Sequence, residues 1–171
     1  HYTAYSPIPD SPTSLPSKPP PLIREHRLYQ ADWLLRYYGF EAQELTLEEG
    51  GFLSLDKDPK LAWALAHREF FPVDINRASR NALLRVPGIG VKNADRIIKA
   101  RRLGRLYLAD LVKLKIGLNR AKFFITTADK NKATTALDSH TLEAKLTPPK
   151  RYIQPSLFES DTASQVADTY D

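Results

Sequence analysis

Apolar residues at 83, 84 and 86 run into Pro87-Gly88-Ile89-Gly90, and helical spacing resumes at once with Val91, Ala94, Ile97 and Ile98. Intervals of three and four residues after a glycine-bearing break predict helix, hairpin, helix over residues 83–102. A weaker copy occupies residues 108–125. There Leu108, Leu111, Val112 and Leu114 lead to Ile116-Gly117-Leu118, then to Arg120, Ala121, Phe124 and Ile125. Its hairpin keeps one glycine. Two short helices cannot bury enough surface to stand alone, so the two copies are expected to pair into one fold.

Upstream, residues 22–38 carry a helical pattern that Gly39 should close at its C-cap. Leu28, Ala31, Leu35 and Tyr38 form one stripe, while Tyr29, Trp33, Leu34 and Tyr37 populate the other faces. A helix apolar nearly all round needs cover on more than one side, whether from this chain's core or from a further domain. Residues 40–55 are acidic, and Gly50-Gly51 marks a loop. Asp58 and Pro59 supply an N-cap and a first-turn proline for a helix over 60–67 with Leu61, Trp63, Ala64 and Leu65 inward. Phe70, Phe71 and Pro72 should stop it. Residues 73–76 then lead into the hairpin unit, with Ser79 as the N-cap of its first helix.

The expected fold is therefore all-α: a paired helix-hairpin-helix domain preceded by two or so packing helices, between a proline-rich N-terminal segment and a disordered C-terminal one. The divisions fall at 1–21 for the linker, 22–72 for the helical segment, 73–126 for the hairpin domain and 127–171 for the tail. Proline and serine density supports the first. Sparse apolar residues among Thr, Ala, Asp, Lys and Ser support the last.

Charge sharpens this picture. From 85 to 122 there are eleven Lys and Arg against Asp95 and Asp110, a balance of +9 in a chain of net +5, so the remainder carries −4. A basic belt coinciding with the hairpins is what phosphate binding needs, although part of it can be solvated helix face. The chain has no cysteine, which excludes disulfides, thiolate zinc sites and any iron–sulfur cluster held by its own residues. His1, His26, His67 and His140 show no ligand spacing; no metal is assigned, and His26 is expected to be structural. There is no methionine either, so the sequence is expected to be a piece of something longer. No membrane span or signal peptide is visible, and a soluble, cytoplasmic, nucleoid-associated setting is expected.

The hairpin glycines suggest the chemistry. A residue without Cβ allows positive φ and close approach of another backbone. The amides of Gly88, Gly90 and Val91 would open at the N-terminus of the following helix, where unpaired N–H groups and the helix dipole favour an anion, and Lys92 adds a full charge. The run Val86, Pro87, Gly88, Ile89, Gly90, followed by Lys92 and Ala94, resembles the helix-hairpin-helix DNA-binding motif. That resemblance implies that the hairpin amides hold DNA phosphate without reading bases, with a monovalent cation on the hairpin carbonyls in some members. The DNA-binding candidates are Gly88, Ile89, Gly90, Val91, Lys92 and Asn93 at the strong hairpin, with Ile89 plugged into the core, and Gly117, Asn119 and Arg120 at the weak one. A turn whose glycines serve packing alone is the competing reading.

Three segments, at 24–40, 58–78 and 83–97, together resemble the C-terminal part of a bacterial family of DNA modification or repair radical SAM proteins. The resemblance covers roughly residues 1–126 and implies an N-terminal barrel with a [4Fe-4S] cluster and S-adenosylmethionine. Without cysteine this chain lacks that barrel, so the DNA-engaging end is implied and the activity is not. Gln154-Pro155-Ser156-Leu157-Phe158 resembles the bacterial sliding-clamp-binding pentapeptide, departing at Pro155, with Gln154, Leu157 and Phe158 as the candidate contacts. The expected function is a non-sequence-specific DNA-binding module, not itself an enzyme, with DNA, a sliding clamp and its own missing barrel as partners. Two alternatives stand beside it. One is a helix-hairpin-helix glycosylase using Lys92 and Asp110; the other is a protein-interaction adaptor with a clamp-binding tail.

Overall fold

A computed structural model describes residues 2, 12, 19–46, 50–129, 131–139 and 141–147. Local chemistry sets its elements. The Asp58 carboxylate accepts the Leu61 amide at 2.9 Å and Pro59 occupies the first turn, starting a helix at Pro59–Ala66. Ser79 Oγ accepts the Ala82 amide at 3.1 Å and starts another at Arg80–Arg85. Each cap satisfies a donor that the first helical turn leaves without a partner.

In chain order the helices are α1 (Leu22–Tyr37), α2 (Ala42–Leu45), α3 (Pro59–Ala66), α4 (Arg80–Arg85), α5 (Val91–Ala100), α6 (Leu108–Lys113), α7 (Leu118–Ala121) and α8 (Leu142–Leu146). The fold is all-α in substance. Its one sheet among the described residues is a parallel pair, β1 (Val73–Asp74) with β2 (Ile125–Thr126), in which Val73 lies opposite Ile125. The Val73 amide donates to the Phe124 carbonyl at 2.9 Å and the Ile75 amide to Thr126 at 3.2 Å. This short ladder ties the start of the paired hairpins to their end. The weak hairpin differs from expectation for the same reason: α7 stops at Ala121, and a turn through Phe124 leads into β2 instead of continuing the helix.

The 22–72 segment and the hairpins share one core. Phe71 packs edge-on against Phe124 with centroids 5.0 Å apart, and Leu61, Ile75, Leu83, Leu84, Ile89, Ile97 and Leu111 are all 1% exposed or less. In α1 the buried line is Ala31 and Leu34, whereas Leu28 and Leu35 of the expected stripe reach the surface. A short helix, α2, also stands where only an acidic loop was expected. It is held by Arg85 of α4, which donates to both Glu44 carboxylate oxygens at 2.5 and 3.1 Å and to the Gly39 carbonyl at 2.9 Å. The guanidinium also lies over Phe40 and Trp63, 4.0 and 4.8 Å from their centroids. Burial is the largest single influence and works against the Glu44 carboxylate, but the Arg85 hydrogen bond, the Glu41 amide and the nearby positive charge of Arg85 together outweigh it and hold its pKa below the ordinary value.

Arg85→Ala leaves Glu44 and two ring faces without their partner, and chemical denaturation should show a loss of about 2 kcal/mol. Lysine should restore less than half, because it lacks the planar fork. An unchanged denaturation midpoint would contradict this role.

The expectation of disorder from 127 onward is corrected as far as residue 147. Residues 131–139 and 141–147 fold back, burying Leu137, Leu142 and Leu146. Asn131 is the pin: its side-chain amide donates to the Lys122 carbonyl at 2.6 Å and its oxygen accepts the Ala133 amide at 3.0 Å. Lys57 then pairs with Glu143 at 2.6 Å. Three leucines suffice here because the docking surface is already built, a circumstance invisible to local composition.

Candidate nucleic-acid interface

α4 and α5 are joined by the strong hairpin. Gly88 takes φ of +90°, and a Cβ there would stand 3.3 Å from the Ala121 nitrogen and 3.4 Å from the Gly117 carbonyl oxygen. This glycine therefore serves the close approach of the two hairpins. Ile89 is fully buried, as a core plug should be. Gly90 is the N-cap of α5 with ordinary φ of −94°; a Cβ there would meet only the Tyr38 hydroxyl, at 3.2 Å. No side chain caps α5, and among the described residues the amides of Gly90, Val91, Lys92 and Asn93 find no acceptor. Four donors are thus left without an acceptor at the positive end of a helix of ten residues.

Lys60, which no local pattern singles out, sits beneath this hairpin. It is 9% exposed and its ammonium donates to the Ile89 carbonyl at 2.6 Å, with the Tyr38 ring 4.8 Å away. Burial lowers its pKa to about 7, although Asp58 pulls it upward. The Ile89 carbonyl, one of the hairpin carbonyls on which a monovalent cation was expected, thus already accepts a hydrogen bond from the Lys60 side-chain nitrogen.

The weak hairpin is placed differently. Gly117 and Asn119 are exposed, but Arg120 pairs with the Asp58 carboxylate at 2.6 Å, linking α7 to the start of α3. The basic belt also divides. Arg85 is committed to Glu44, and Arg101 donates to the Ile75 and Ala78 carbonyls at 3.0 and 2.7 Å. Asp95 is held by Arg80 at 2.8 Å, a hydrogen bond that lowers the pKa of its carboxyl. Lys92, Lys99, Arg102, Arg105 and Lys115 are exposed and form no ion pair among the described residues. Asp110 is the third residue of α6, where its carboxylate accepts the Tyr107 amide at 3.0 Å.

Across a groove from the start of α5 stands the aromatic face of α1. Trp33 is 56% and Tyr37 49% exposed, their ring centroids 4.4 Å apart. His26, expected to be structural, is exposed instead, and among the described residues no cluster of His, Asp and Glu could hold a metal. No helix described is long and apolar enough to cross a membrane. Gln154, Leu157 and Phe158 lie outside the described residues.

With this geometry in view, the pattern that defines the helix-hairpin-helix motif matches residues 70–123, from the turn that follows α3 to just past α7. The chain carries that motif, which is generally a nucleic-acid-binding element. No curated protein matches the chain, and no solved structure does.

Proposed function

We propose that this chain is a DNA-binding module that grips the phosphate backbone at the strong hairpin without reading sequence. The observation carrying this is the set of four acceptor-less amides, Gly90 to Asn93, opening beside exposed Lys92 inside a helix-hairpin-helix motif. Such donors bind a phosphate oxygen through backbone atoms that every nucleotide step offers equally. Lys60 supports the same end from behind. Its ammonium bonds to the carbonyl of the Ile89–Gly90 peptide, polarising the unit whose N–H is the Gly90 amide and strengthening that donor. Gly88 contributes by packing, and Arg120 by bracing α3, so the direct contacts are reduced to Gly90, Val91, Lys92 and Asn93, with Gly117 and Asn119 as a second, weaker set.

In this reading the chain performs no catalysis. Asp110, the carboxylate a glycosylase would need, is committed to the first turn of α6. The resemblance of the segments at 24–40, 58–78 and 83–97 to DNA modification or repair radical SAM proteins supports a further step, that the module is the DNA-engaging end of a longer cytoplasmic enzyme. A sliding clamp as partner rests on the 154–158 peptide alone.

Fluorescence anisotropy of labelled duplex DNA over a salt series tests the grip. Affinity should fall steeply with salt and be alike for unrelated sequences. Lys92→Ala should lower the logarithmic salt slope by about 1 for the lost phosphate contact. Absence of binding at low salt by the folded chain, or an unchanged slope in the variant, would refute the assignment.

A further inference from the structure

We propose that the aromatic face of α1 is a stacking platform for an unpaired nucleobase adjacent to the phosphate held at the hairpin, so that the module prefers DNA with a single-stranded stretch. This rests on the backbone-binding reading above. The two features share one groove of about 500 Å³, with Trp33, Tyr37 and Tyr38 on one wall and Val91, Lys92 and Arg96 on the other. Its volume lies within the roughly 300–1,000 Å³ of ordinary small-ligand sites.

The character of the two walls identifies the occupant. Trp33 and Tyr37 form a ledge of two rings, tilted 49° to each other and about half exposed, on a helix that buries only Ala31 and Leu34. The opposite wall is cationic and carries the acceptor-less amides of α5. An apolar protein segment would be matched by the first wall and opposed by the second. A nucleotide matches both, its anionic phosphate at the amides and its flat base on the rings, and stacking on aromatic side chains beside a basic track is how single strands are commonly held. A paired base keeps its faces covered by its neighbours and cannot use the ledge. Tyr38 joins the walls, since its hydroxyl reaches toward Gly90 and its ring covers Lys60.

The two tryptophans make this measurable, because Trp63 is buried at 5% exposure and Trp33 is not. A fully paired duplex and the same duplex with a thymidine overhang are titrated into wild-type protein, Trp33→Ala and Trp33→Phe, following both tryptophan emission and anisotropy of a labelled strand. The overhang should quench wild-type emission and leave the residual Trp63 emission of the variants unmoved. Trp33→Ala should lose about tenfold in affinity for the overhang substrate and little for the paired one, with phenylalanine recovering part. Equal loss on both substrates, or no quenching by the overhang, would overturn the platform while leaving the hairpin grip standing. Failure of wild-type protein to bind either DNA would refute the hairpin reading, and the platform with it.

Discussion

Lys60→Met should flatten the pH dependence of stability between about pH 7 and 10. The folded-state pKa of Lys60 is lowered from 10.5 to about 7 by burial, the attraction of Asp58 notwithstanding. Between these values the unfolded chain holds a proton that the folded chain does not, so stability rises with pH through this window, by about 1.4 kcal/mol per unit from this group alone. Below pH 7 both states are charged, and the fold carries the whole cost of a buried ammonium. The difference between the denaturation curves of wild type and variant therefore reports on Lys60. Near pH 6 the apolar chain should be almost neutral, because relief of the buried charge offsets the Ile89 carbonyl left without its donor. At pH 9.5 the variant should be less stable by on the order of 3 kcal/mol, since neutral lysine keeps that hydrogen bond at little cost. Parallel curves would show that the ammonium is not desolvated under the hairpin.

That lysine also marks where sequence reading reached its limit. Flanked by Pro59 and Leu61 at a helix start, it looks like any solvated first-turn residue; the strong hairpin packed over it and the Tyr38 ring beside it bury it. The same holds for Arg85, Arg101 and Arg120. In a charge count they are indistinguishable from Lys92, yet the first three bond to Glu44, to backbone carbonyls and to Asp58. Features carried by local chemistry were legible: the Asp58 and Ser79 caps, the break at residues 87–90 and the buried Ile89. Features that need a distant partner were not. The β1–β2 ladder has too few residues for a periodic signal, and the leucines at 137, 142 and 146 have meaning only against a surface formed earlier in the chain. The aromatic residues of α1 were visible as a surplus over one core stripe, but their place opposite the start of α5 was not.

The two hairpin glycines, alike in sequence, should respond differently to alanine. At Gly88 the backbone has φ of +90°, a region costing an L-residue about 1–2 kcal/mol. The added methyl would also stand 3.3 Å from a backbone nitrogen and 3.4 Å from a backbone oxygen of the weak hairpin, neither of which can rotate aside. Forcing the hairpins apart loosens the contact that lets two short copies share a core, and the two effects together should cost about 3 kcal/mol, lowering Tm by roughly 10 °C. Gly90 has an ordinary φ, and its new neighbour would be a hydroxyl at the end of the Tyr38 side chain. Gly90→Ala should therefore stay within about 1 kcal/mol of wild type by thermal or chemical denaturation. If both variants were equally destabilised, the division of labour between them would be wrong. If it holds, Gly90→Ala is the variant in which DNA affinity can be measured on an intact fold, whereas any loss of binding by Gly88→Ala must first be separated from loss of the paired-hairpin structure.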